Sequence, residues 1–419
     1  MNAIKLIALM VIVLFLAAAN RWDLLGKLFF ALCALFVVAM LWSRLSLRGL
    51  KVTRETYGDR ARVGERLAER IRIQNLSCLP KLWVEVVDQS TLPGHQASRV
   101  VQLGPHSETS WDISTECTKR GLYHTGPLRL ESGDPFGLFP SRKILPSIHQ
   151  ITIYPPIVNL TGLDLLPGEL PGGSTVQHRT PVVTPNASGV REYVLGDSFN
   201  RIAWSATART GRLMVKEFEL DPTADVWIVL DLDRRHHAGA DGAVAADHSR
   251  PDPAALNSTE EYVVTIAASL AHHLLNANRN VGLLANSSQP VLLPADRGDR
   301  QLAKMLDELA VAHADGSRPL AETLLAETGL LRWNSIVVIV TPSTDEAWVK
   351  ATAALLSLNI RVLAVVVEGS TFGDGQSALL VVSQLVLMGV PTFLIKRGED
   401  IGIALSRQGQ PGVSPEMGG

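Results

Sequence analysis

The segment from residue 231 to residue 248 is the densest group of potential metal ligands in the chain. After Asp231 and Asp233 at its start, its histidines and carboxylates are His236, His237, Asp241, Asp247 and His248. Imidazole and carboxylate together can hold zinc, as in a metal-dependent hydrolase. Alanine and glycine fill the spaces between these residues, however, and no fixed ligand spacing recurs. A flexible polar insertion is the favoured interpretation, and the metal-dependent hydrolase is kept as an alternative.

Two aspartates at the start of this segment could hold magnesium instead. Asp231 and Asp233 follow the apolar run VWIVL, and carboxylate oxygens are hard ligands that suit this ion. Arg235 would place a like charge beside any such cation. We therefore predict no cofactor, with Asp231 and Asp233 as the candidate ligands if magnesium does bind.

The string REYVLGDSFNRIAWSATARTGRLMVKEFE, residues 191–219, is the most distinctive in the sequence. Tryptophan and arginine are enriched at binding hot spots, so the string is a candidate docking surface for a protein partner. The candidate partner-binding residues are Arg191, Asp197, Arg201, Trp204, Arg209 and Lys216. The alternative is a latch, with a helix over about 199–207 and a strand LMVKEFE, whose charges pair locally and contribute little. The two roles can coexist.

The rest of the sequence gives no sign of catalysis or of nucleic-acid binding. It lacks a Gly-x-Ser-x-Gly elbow, a phosphate-binding Gly-x-x-x-x-Gly-Lys loop and a His-Glu-x-x-His motif. The 39 basic and 41 acidic residues give a net charge of -2, which provides no electrostatic reason to bind nucleic acid. We expect a protein that is not an enzyme and has no nucleic-acid partner.

The elements that would position these residues begin with two apolar runs, at 6–19 and 24–42. Their lengths predict a transmembrane helical hairpin within residues 1–50, with residues 4–42 in contact with the membrane. Arg44, Arg48 and Lys51 follow the second run, which favours cytoplasmic soluble domains on a multi-pass protein of the bacterial inner membrane. A cleaved signal peptide ending near Ala17-Ala18-Ala19 is the alternative.

Beyond the hairpin, the pattern predicts a multidomain α+β protein. Short alternating stretches separated by turn residues indicate an immunoglobulin-like β-sandwich over 51–155, although a barrel would show the same pattern. Residues 156–220 form a loop and the distinctive string. Over 221–408, buried strands alternate with amphipathic helices, which is typical of a doubly wound α/β domain. Residues 409–419 are predicted to be a disordered tail.

The distinctive string resembles the signature of the family known as domain of unknown function 58. The matching residues are Arg191, Glu192, Tyr193, Gly196, Asp197, Arg201, Trp204, Ala208, Arg209, Lys216 and Glu217. The resemblance extends to the paired N-terminal runs, to the RGLY, GPLRL and DPFGLF segments within 120–139, and to the C-terminal region. It implies a membrane-tethered protein with a von Willebrand factor A-like domain, associated with a MoxR-type AAA+ ATPase.

Von Willebrand A domains that bind a cation carry Asp-x-Ser-x-Ser after the first strand. Here both serine positions are changed, to Asp233 and Arg235, and a later loop reads Thr341-Pro342-Ser343-Thr344 where another aspartate is common. The resemblance therefore implies the fold without the metal site. We expect a membrane-anchored scaffold or adaptor that acts with the ATPase in assembly or remodelling of envelope or metal-containing complexes. A divalent-cation-dependent binding module is an alternative.

Overall fold

The computed structural model describes residues 2–20, 23–160, 187–192, 203–218, 224–239, 257–331, 335–373 and 375–406. Two helices open the chain, α1 (Asn2–Asn20) and α2 (Asp23–Ser46), and they pack against each other. In the described part of the chain, α2 is the one helix long and apolar enough to cross a membrane, while the apolar stretch of α1, Ala3–Ala19, is shorter. A helix of this kind near the N-terminus anchors a protein in a membrane or serves as a signal sequence. The predicted pair of spans therefore has support for α2 alone.

Two antiparallel sheets follow. One has the strand order β1 (Leu50–Thr56), β3 (Arg66–Asn75), β6 (Glu108–Glu116), and the other has β5 (Arg99–Leu103), β4 (Lys81–Asp88), β8 (Leu128–Gly133), β9 (Pro140–Leu145). Alternate residues of β3 are buried, as expected for a strand with one face on a core. Ile71 and Ile73 from the first sheet share that core with Val84 and Leu130 from the second. The two sheets therefore form a sandwich.

A third, smaller sheet joins the sandwich to the C-terminal domain. Its order is β2 (Arg60–Arg62), β10 (His149–Tyr154), β7 (Gly121–Thr125), and β2 runs parallel to β10. Tyr154 at the end of β10 lies in the same apolar cluster as the C-terminal domain's core. The distinctive string contributes a separate two-stranded antiparallel sheet, β11 (Ala187–Glu192) with β12 (Met214–Phe218), and a short helix α3 (Trp204–Thr210).

The C-terminal domain is a six-stranded sheet with helices on both faces. The strand order is β15 (Val291–Asp296), β14 (Val281–Ala285), β13 (Val226–Leu230), β16 (Ile336–Thr341), β17 (Arg361–Val367), β18 (Thr392–Ile395), and only β15 is antiparallel to its neighbour. The helices are α4 (Thr259–Asn276), α5 (Asp299–Val311), α6 (Leu320–Ala326), α7 (Glu346–Ser357), α8 (Leu379–Leu387) and α9 (Ile401–Ser406).

The two faces of this sheet carry separate apolar layers. Ile228 of β13 belongs to the cluster that contains α4 and α5, and its neighbour Val229 belongs to the cluster that contains α7 and α8. A strand buried on both sides reads as a continuous apolar run, and this is the pattern from which the sequence predicts β13, β14, β16 and β17. The predicted doubly wound arrangement is present. The sequence prediction omitted β15, an edge strand that alternates between half-buried and exposed residues and contains Pro294.

Candidate functional site

The carboxyl ends of the parallel strands β13, β16 and β17 meet at one edge of the C-terminal sheet. Ligands of doubly wound folds bind at such an edge, because the loops that follow the strands enclose a crevice there. Here the loops enclose a cleft of about 630 Å³, lined by Arg235, His236, His237, Pro342, Thr344 and Gln376, among others. The cleft is therefore lined by five residues of the segment 231–248 that the sequence identified first, residues 235–239.

Asp231, at the end of β13, uses both of its carboxylate oxygens within the protein. It is fully buried. Oδ1 accepts hydrogen bonds from Asn286 Nδ2 at 3.1 Å and from the Asp233 amide at 3.2 Å, and Oδ2 accepts one from Thr341 Oγ1 at 2.6 Å. A buried carboxylate that is hydrogen-bonded in this way is stable without a metal ion.

Asp233 is paired with an arginine side chain. Arg235 Nε lies 3.0 Å from Oδ1 and 3.1 Å from Oδ2 of Asp233, and Arg235 Nη2 also donates to Oδ2. Burial opposes ionisation of Asp233, but the hydrogen bonds and charge of Arg235 outweigh it and lower the pKa of the carboxyl. The guanidinium therefore lies against the carboxylate where a divalent cation would need to bind. These residues do not fit such an ion, and we derive no chemistry through one.

The two histidines that the structure describes in this loop, His236 and His237, are not assembled as zinc ligands. His237 Nε2 is 3.0 Å from the carbonyl oxygen of Asp231, so this nitrogen carries the proton, and His237 Nδ1 is 3.1 Å from Thr259 Oγ1. Burial lowers the pKa of His237, which keeps the ring neutral at pH 7. His236 lines the cleft. The other three members of the predicted set, Asp241, Asp247 and His248, lie outside the described residues.

The structure places part of the distinctive string in an exposed helix. Trp204 begins α3 with 66% of its side chain exposed, and none of the residues of α3 is buried. The helix is held to β12 by two hydrogen bonds, from the Met214 amide to Thr207 Oγ1 at 3.0 Å and from the Ala203 amide to the Met214 carbonyl at 2.8 Å. The string is thus anchored through its backbone while its tryptophan faces solvent.

The remaining candidates from the string are placed as follows. Arg209 lies on α3 and is exposed, Arg191 on β11 pairs with Val215, and Lys216 on β12 pairs with Val190. Asp197 and Arg201 lie outside the described residues. The predicted helix over about 199–207 is wrong at its C-terminal end, because α3 continues to Thr210. It stops there because Gly211 adopts a left-handed conformation with φ 69°, a common helix C-cap that favours glycine.

Sequence reasoning missed a charged cluster inside the sandwich, made of Arg54, Glu69, Asp88 and His95. His95 Nε2 lies 2.8 Å from Asp88 Oδ2 and 3.6 Å from Glu69 Oε2, and Arg54 pairs with both carboxylates. All four side chains are at most 2% exposed. Three potential metal ligands, Glu69, Asp88 and His95, converge here, but Arg54 supplies the positive charge, so the cluster is best described as a buried ion-pair network.

A sequence signal for this cluster does exist. In RLAERIRIQN, Glu69 occupies the same alternate register as Leu67, Ile71 and Ile73, all of which are buried. A carboxylate at an inward-facing position of a strand requires a buried partner. The sequence does not say which partner it has, because Arg54, Asp88 and His95 come from other parts of the chain.

Comparisons with known proteins give a family and one curated relative. Residues 189–371 match the model of the family described as "Protein of unknown function DUF58". The "Uncharacterized protein YeaD" of Bacillus subtilis (strain 168) is 24% identical over 318 residues, which is 72% of each chain. The matched region contains the whole distinctive string, residues 191–219, and the C-terminal sheet as far as β17.

The solved structures that match part of the chain resemble it only weakly. The CARDB domain of a Pyrococcus furiosus protein, solved with di-metal ions, is 14% identical over 25% of this chain and 91% of its own, with a TM-score of 0.19. A beta-glucosidase from Listeria innocua is 12% identical over 25% of this chain and 16% of its own, with a TM-score of 0.17. Scores of this size carry no structural argument. The match over residues 189–371, together with the Bacillus relative, supports the predicted resemblance to the family described as protein of unknown function DUF58.

Proposed function

We propose that this protein is a membrane-anchored, non-enzymatic scaffold or adaptor. The N-terminal helices hold it in the inner membrane as a multi-pass protein, with the soluble domains in the cytoplasm. Its C-terminal domain, of von Willebrand A type, and the distinctive string engage a protein partner. By family resemblance that partner is a MoxR-type AAA+ ATPase, which supplies the energy for assembly or remodelling of envelope or metal-containing complexes.

The exposed face of α3 is the observation that carries this proposal. At 100° per residue, Trp204, Ala208, Ser205 and Arg209 follow one another around one side of the helix, and all four are exposed. Small residues therefore lie between an exposed tryptophan and an exposed arginine. A tryptophan that is 66% exposed on a helix without buried residues contributes little to a core. Tryptophan and arginine are also the residue types that most often dominate binding energy.

The α/β domain supports the same proposal through its fold and its altered cation site. Asp231 stands at the carboxyl end of the first strand of a doubly wound sheet, which is where von Willebrand A domains carry Asp-x-Ser-x-Ser. Arg235 pairs with Asp233 at that position. A binding domain of this type would recognise its partner by direct contacts and without a bridging metal ion.

Basic residues at the end of α2 support a cytoplasmic orientation. Arg44 lies in the last turn of α2, Arg48 follows it, and both are exposed. Arginine and lysine next to a membrane span are retained on the cytoplasmic side. The sandwich begins at Leu50, immediately after these residues. It would therefore lie on the same side as they do.

The experiment that tests the proposal is affinity purification of the intact protein after crosslinking in cells. Wild type is compared with Trp204→Ala, with Arg209→Ala and with Leu387→Ala, a matched control because Leu387 on α8 is 87% exposed. We expect mass spectrometry to find an AAA+ ATPase with wild type and with the control, and to find it depleted from both α3 variants at equal protein level. Enrichment of no partner with wild type would refute the adaptor function, and equal capture by all four proteins would refute the role of α3.

A further inference from the structure

The turn that joins β8 to β9, residues 134–139 (DPFGLF), lies against the side of α2. Ser43 Oγ donates a hydrogen bond of 2.8 Å to the Phe139 carbonyl, and the Phe139 ring packs edge-to-face on Phe36 with their centroids 5.2 Å apart. The buried residues of α2 are Ala39, Ser43 and Ser46. With Phe36 they form a stripe at three- and four-residue spacing, so one side of the last three turns of α2 is in contact with the sandwich.

This contact reaches back into the apolar part of α2. Charged residues are absent from 28–43, and Phe36 precedes Trp42 by six residues, or about 9 Å along the helix axis. A hydrocarbon core of about 30 Å requires about 20 apolar residues, so a span that uses the run Leu24–Trp42 includes Phe36. Phe139 touches Phe36 and must therefore lie at a similar depth. The end of α2 is held separately, where Lys81 Nζ donates to the Leu45 carbonyl at 2.7 Å.

Several backbone polar groups of the turn are paired within the protein. The buried Asp134 carboxylate accepts hydrogen bonds from the Phe136 amide at 2.9 Å and the Phe139 amide at 2.6 Å, and the Asp134 carbonyl accepts one from the Gly137 amide at 3.1 Å. Paired backbone groups are the condition for placing non-helical chain near lipid. The amides of Phe136, Gly137 and Phe139 and the carbonyls of Asp134 and Phe139 meet that condition.

Two aromatic side chains are exposed at or beside the turn. Phe136 is 55% exposed, and Trp83 on the neighbouring strand β4 is 37% exposed. The Trp83 ring lies beside Gly133 at the base of the turn, 3.5 Å from the position that a Cβ would take there. Aromatic side chains concentrate where a protein meets the membrane interface. Their position next to the apolar part of α2 makes this surface continuous with the surface of the anchor.

We propose that residues 134–139 are a second membrane contact, in which Phe136 and Trp83 insert among lipid acyl chains at the bilayer interface beside α2. This inference rests on the proposed membrane anchoring by α2. The contact would fix the orientation of the sandwich relative to the membrane. Two contacts, α2 and the turn, would then set the position of the C-terminal domain relative to the bilayer.

The test places a fluorescent reporter in the turn. Full-length protein carrying Phe136→Trp is reconstituted into vesicles of phosphatidylcholine and phosphatidylglycerol, with or without bromine on the acyl chains. The fluorescence that the new tryptophan adds over wild type is then measured. Ile148→Trp is the matched control. Ile148 is 59% exposed and lies beyond the opposite end of the β8–β9 pair, which is about 17 Å away for five residues of strand. Flotation of the vesicles reports anchoring by α2 independently.

We expect wild type, Phe136→Trp and Ile148→Trp all to float with the vesicles. Brominated lipid should quench most of the fluorescence that the tryptophan at position 136 adds, and it should not quench the fluorescence that the tryptophan at position 148 adds. Flotation without quenching at position 136 overturns the second contact and leaves the anchor intact. Equal quenching at both positions also overturns it, because the contact would then not be specific to the turn. Protein that fails to float overturns the anchor and the second contact together.

Discussion

The guanidinium of Arg235 bridges both carboxylate oxygens of Asp233, and 55% of its side chain remains exposed. Asp233 itself is fully buried. The arginine thus neutralises this carboxylate, whose Oδ1 also accepts a hydrogen bond from the Arg235 amide at 3.2 Å. At the scale of residues, this pair determines whether the cleft can take a cation.

Replacing Arg235 should therefore make the melting temperature of the protein depend on magnesium. We expect Arg235→Ala to melt at a higher temperature when magnesium is added, because Asp233 becomes free to bind it. The gain should be about 1.4 kcal/mol when magnesium exceeds its Kd tenfold. Wild type and the neighbouring exposed control Arg234→Ala should show no shift by thermal denaturation. A magnesium shift in wild type as large as that in Arg235→Ala would contradict this account of the cleft.

The buried network in the sandwich gives a prediction for low pH. Burial opposes ionisation of Asp88, but the hydrogen bond from His95 and the charge of Arg54 outweigh it and lower its pKa below 3.8. A carboxyl whose pKa is depressed in the folded state stabilises that state above its unfolded pKa. This stabilisation is lost as the pH falls through the folded value.

Removing His95 should weaken the sandwich and make it more sensitive to acid. We expect His95→Ala to lose about 3 kcal/mol of unfolding free energy at pH 7, because two buried carboxylates then share one guanidinium. Its acid transition should move to higher pH, as followed by circular dichroism. The exposed His149→Ala is the control and should stay within about 0.5 kcal/mol of wild type. An unchanged acid transition in His95→Ala would show that the histidine does not stabilise the carboxylates.

At the scale of elements, the strands of the C-terminal sheet that are buried on both faces could be predicted from the sequence, whereas its edge strand β15 was missed. The apolar runs of β13, β16 and β17 exclude any other arrangement in an α/β pattern. Strand β15 alternates half-buried and exposed residues around Pro294, so its pattern is that of a polar loop as much as that of an edge strand. For α3 the prediction failed at the C-terminal end of the helix, which is set by the left-handed conformation of Gly211. Sequence alone does not distinguish such a glycine from a glycine within a loop.

Stability measurements distinguish the two roles considered for the distinctive string. If Trp204 forms a docking surface, Trp204→Ala should change the unfolding free energy by less than about 0.5 kcal/mol, as is usual for exposed positions. If Trp204 instead forms the core of a latch, Trp204→Ala should lose close to the roughly 3–5 kcal/mol of unfolding free energy that is typical of replacing a buried tryptophan. Trp227→Ala provides that reference, because Trp227 on β13 is only 6% exposed. Chemical denaturation of the two variants side by side decides between the roles.

At the scale of the whole molecule, the sandwich and the C-terminal domain are joined by a buried arginine. Arg120, 1% exposed, precedes β7 and reaches the start of α4, where it pairs with Glu260 at 2.7 Å and with Glu261. It also donates to the Ala312 carbonyl at 2.6 Å. Burial opposes ionisation of Glu260, but the hydrogen bond from His313 and the charge of Arg120 hold its pKa at about 2. The sequence predicted the β-sandwich and the α/β domain. Nothing in the local pattern of RGLY, however, indicates that Arg120 pairs with Glu260, which lies 140 residues later in the chain.

Arg120 should make the two domains unfold together. We expect Arg120→Ala to be destabilised by about 3 kcal/mol, since it removes the guanidinium from two largely buried carboxylates and leaves Glu260 with His313. Calorimetry should resolve its unfolding into two transitions, where wild type shows one. Acid should have a related effect on wild type, because the Glu260 contribution is lost as the pH falls from about 4.5 towards about 2. The exposed Arg142→Ala serves as the control. A single transition in Arg120→Ala would mean that other contacts suffice to couple the domains.

The most direct test of the adaptor proposal is a photo-crosslinking amino acid at position 204, incorporated into the full-length protein in its own cells. Irradiation should yield one discrete adduct that contains an AAA+ ATPase, because the side chain at this position is exposed and is proposed to lie at the centre of the docking surface. The same crosslinker at position 387, exposed on α8, should give no such adduct. An adduct from position 387 but none from position 204, or none from either, would contradict the proposal that the distinctive string docks this partner.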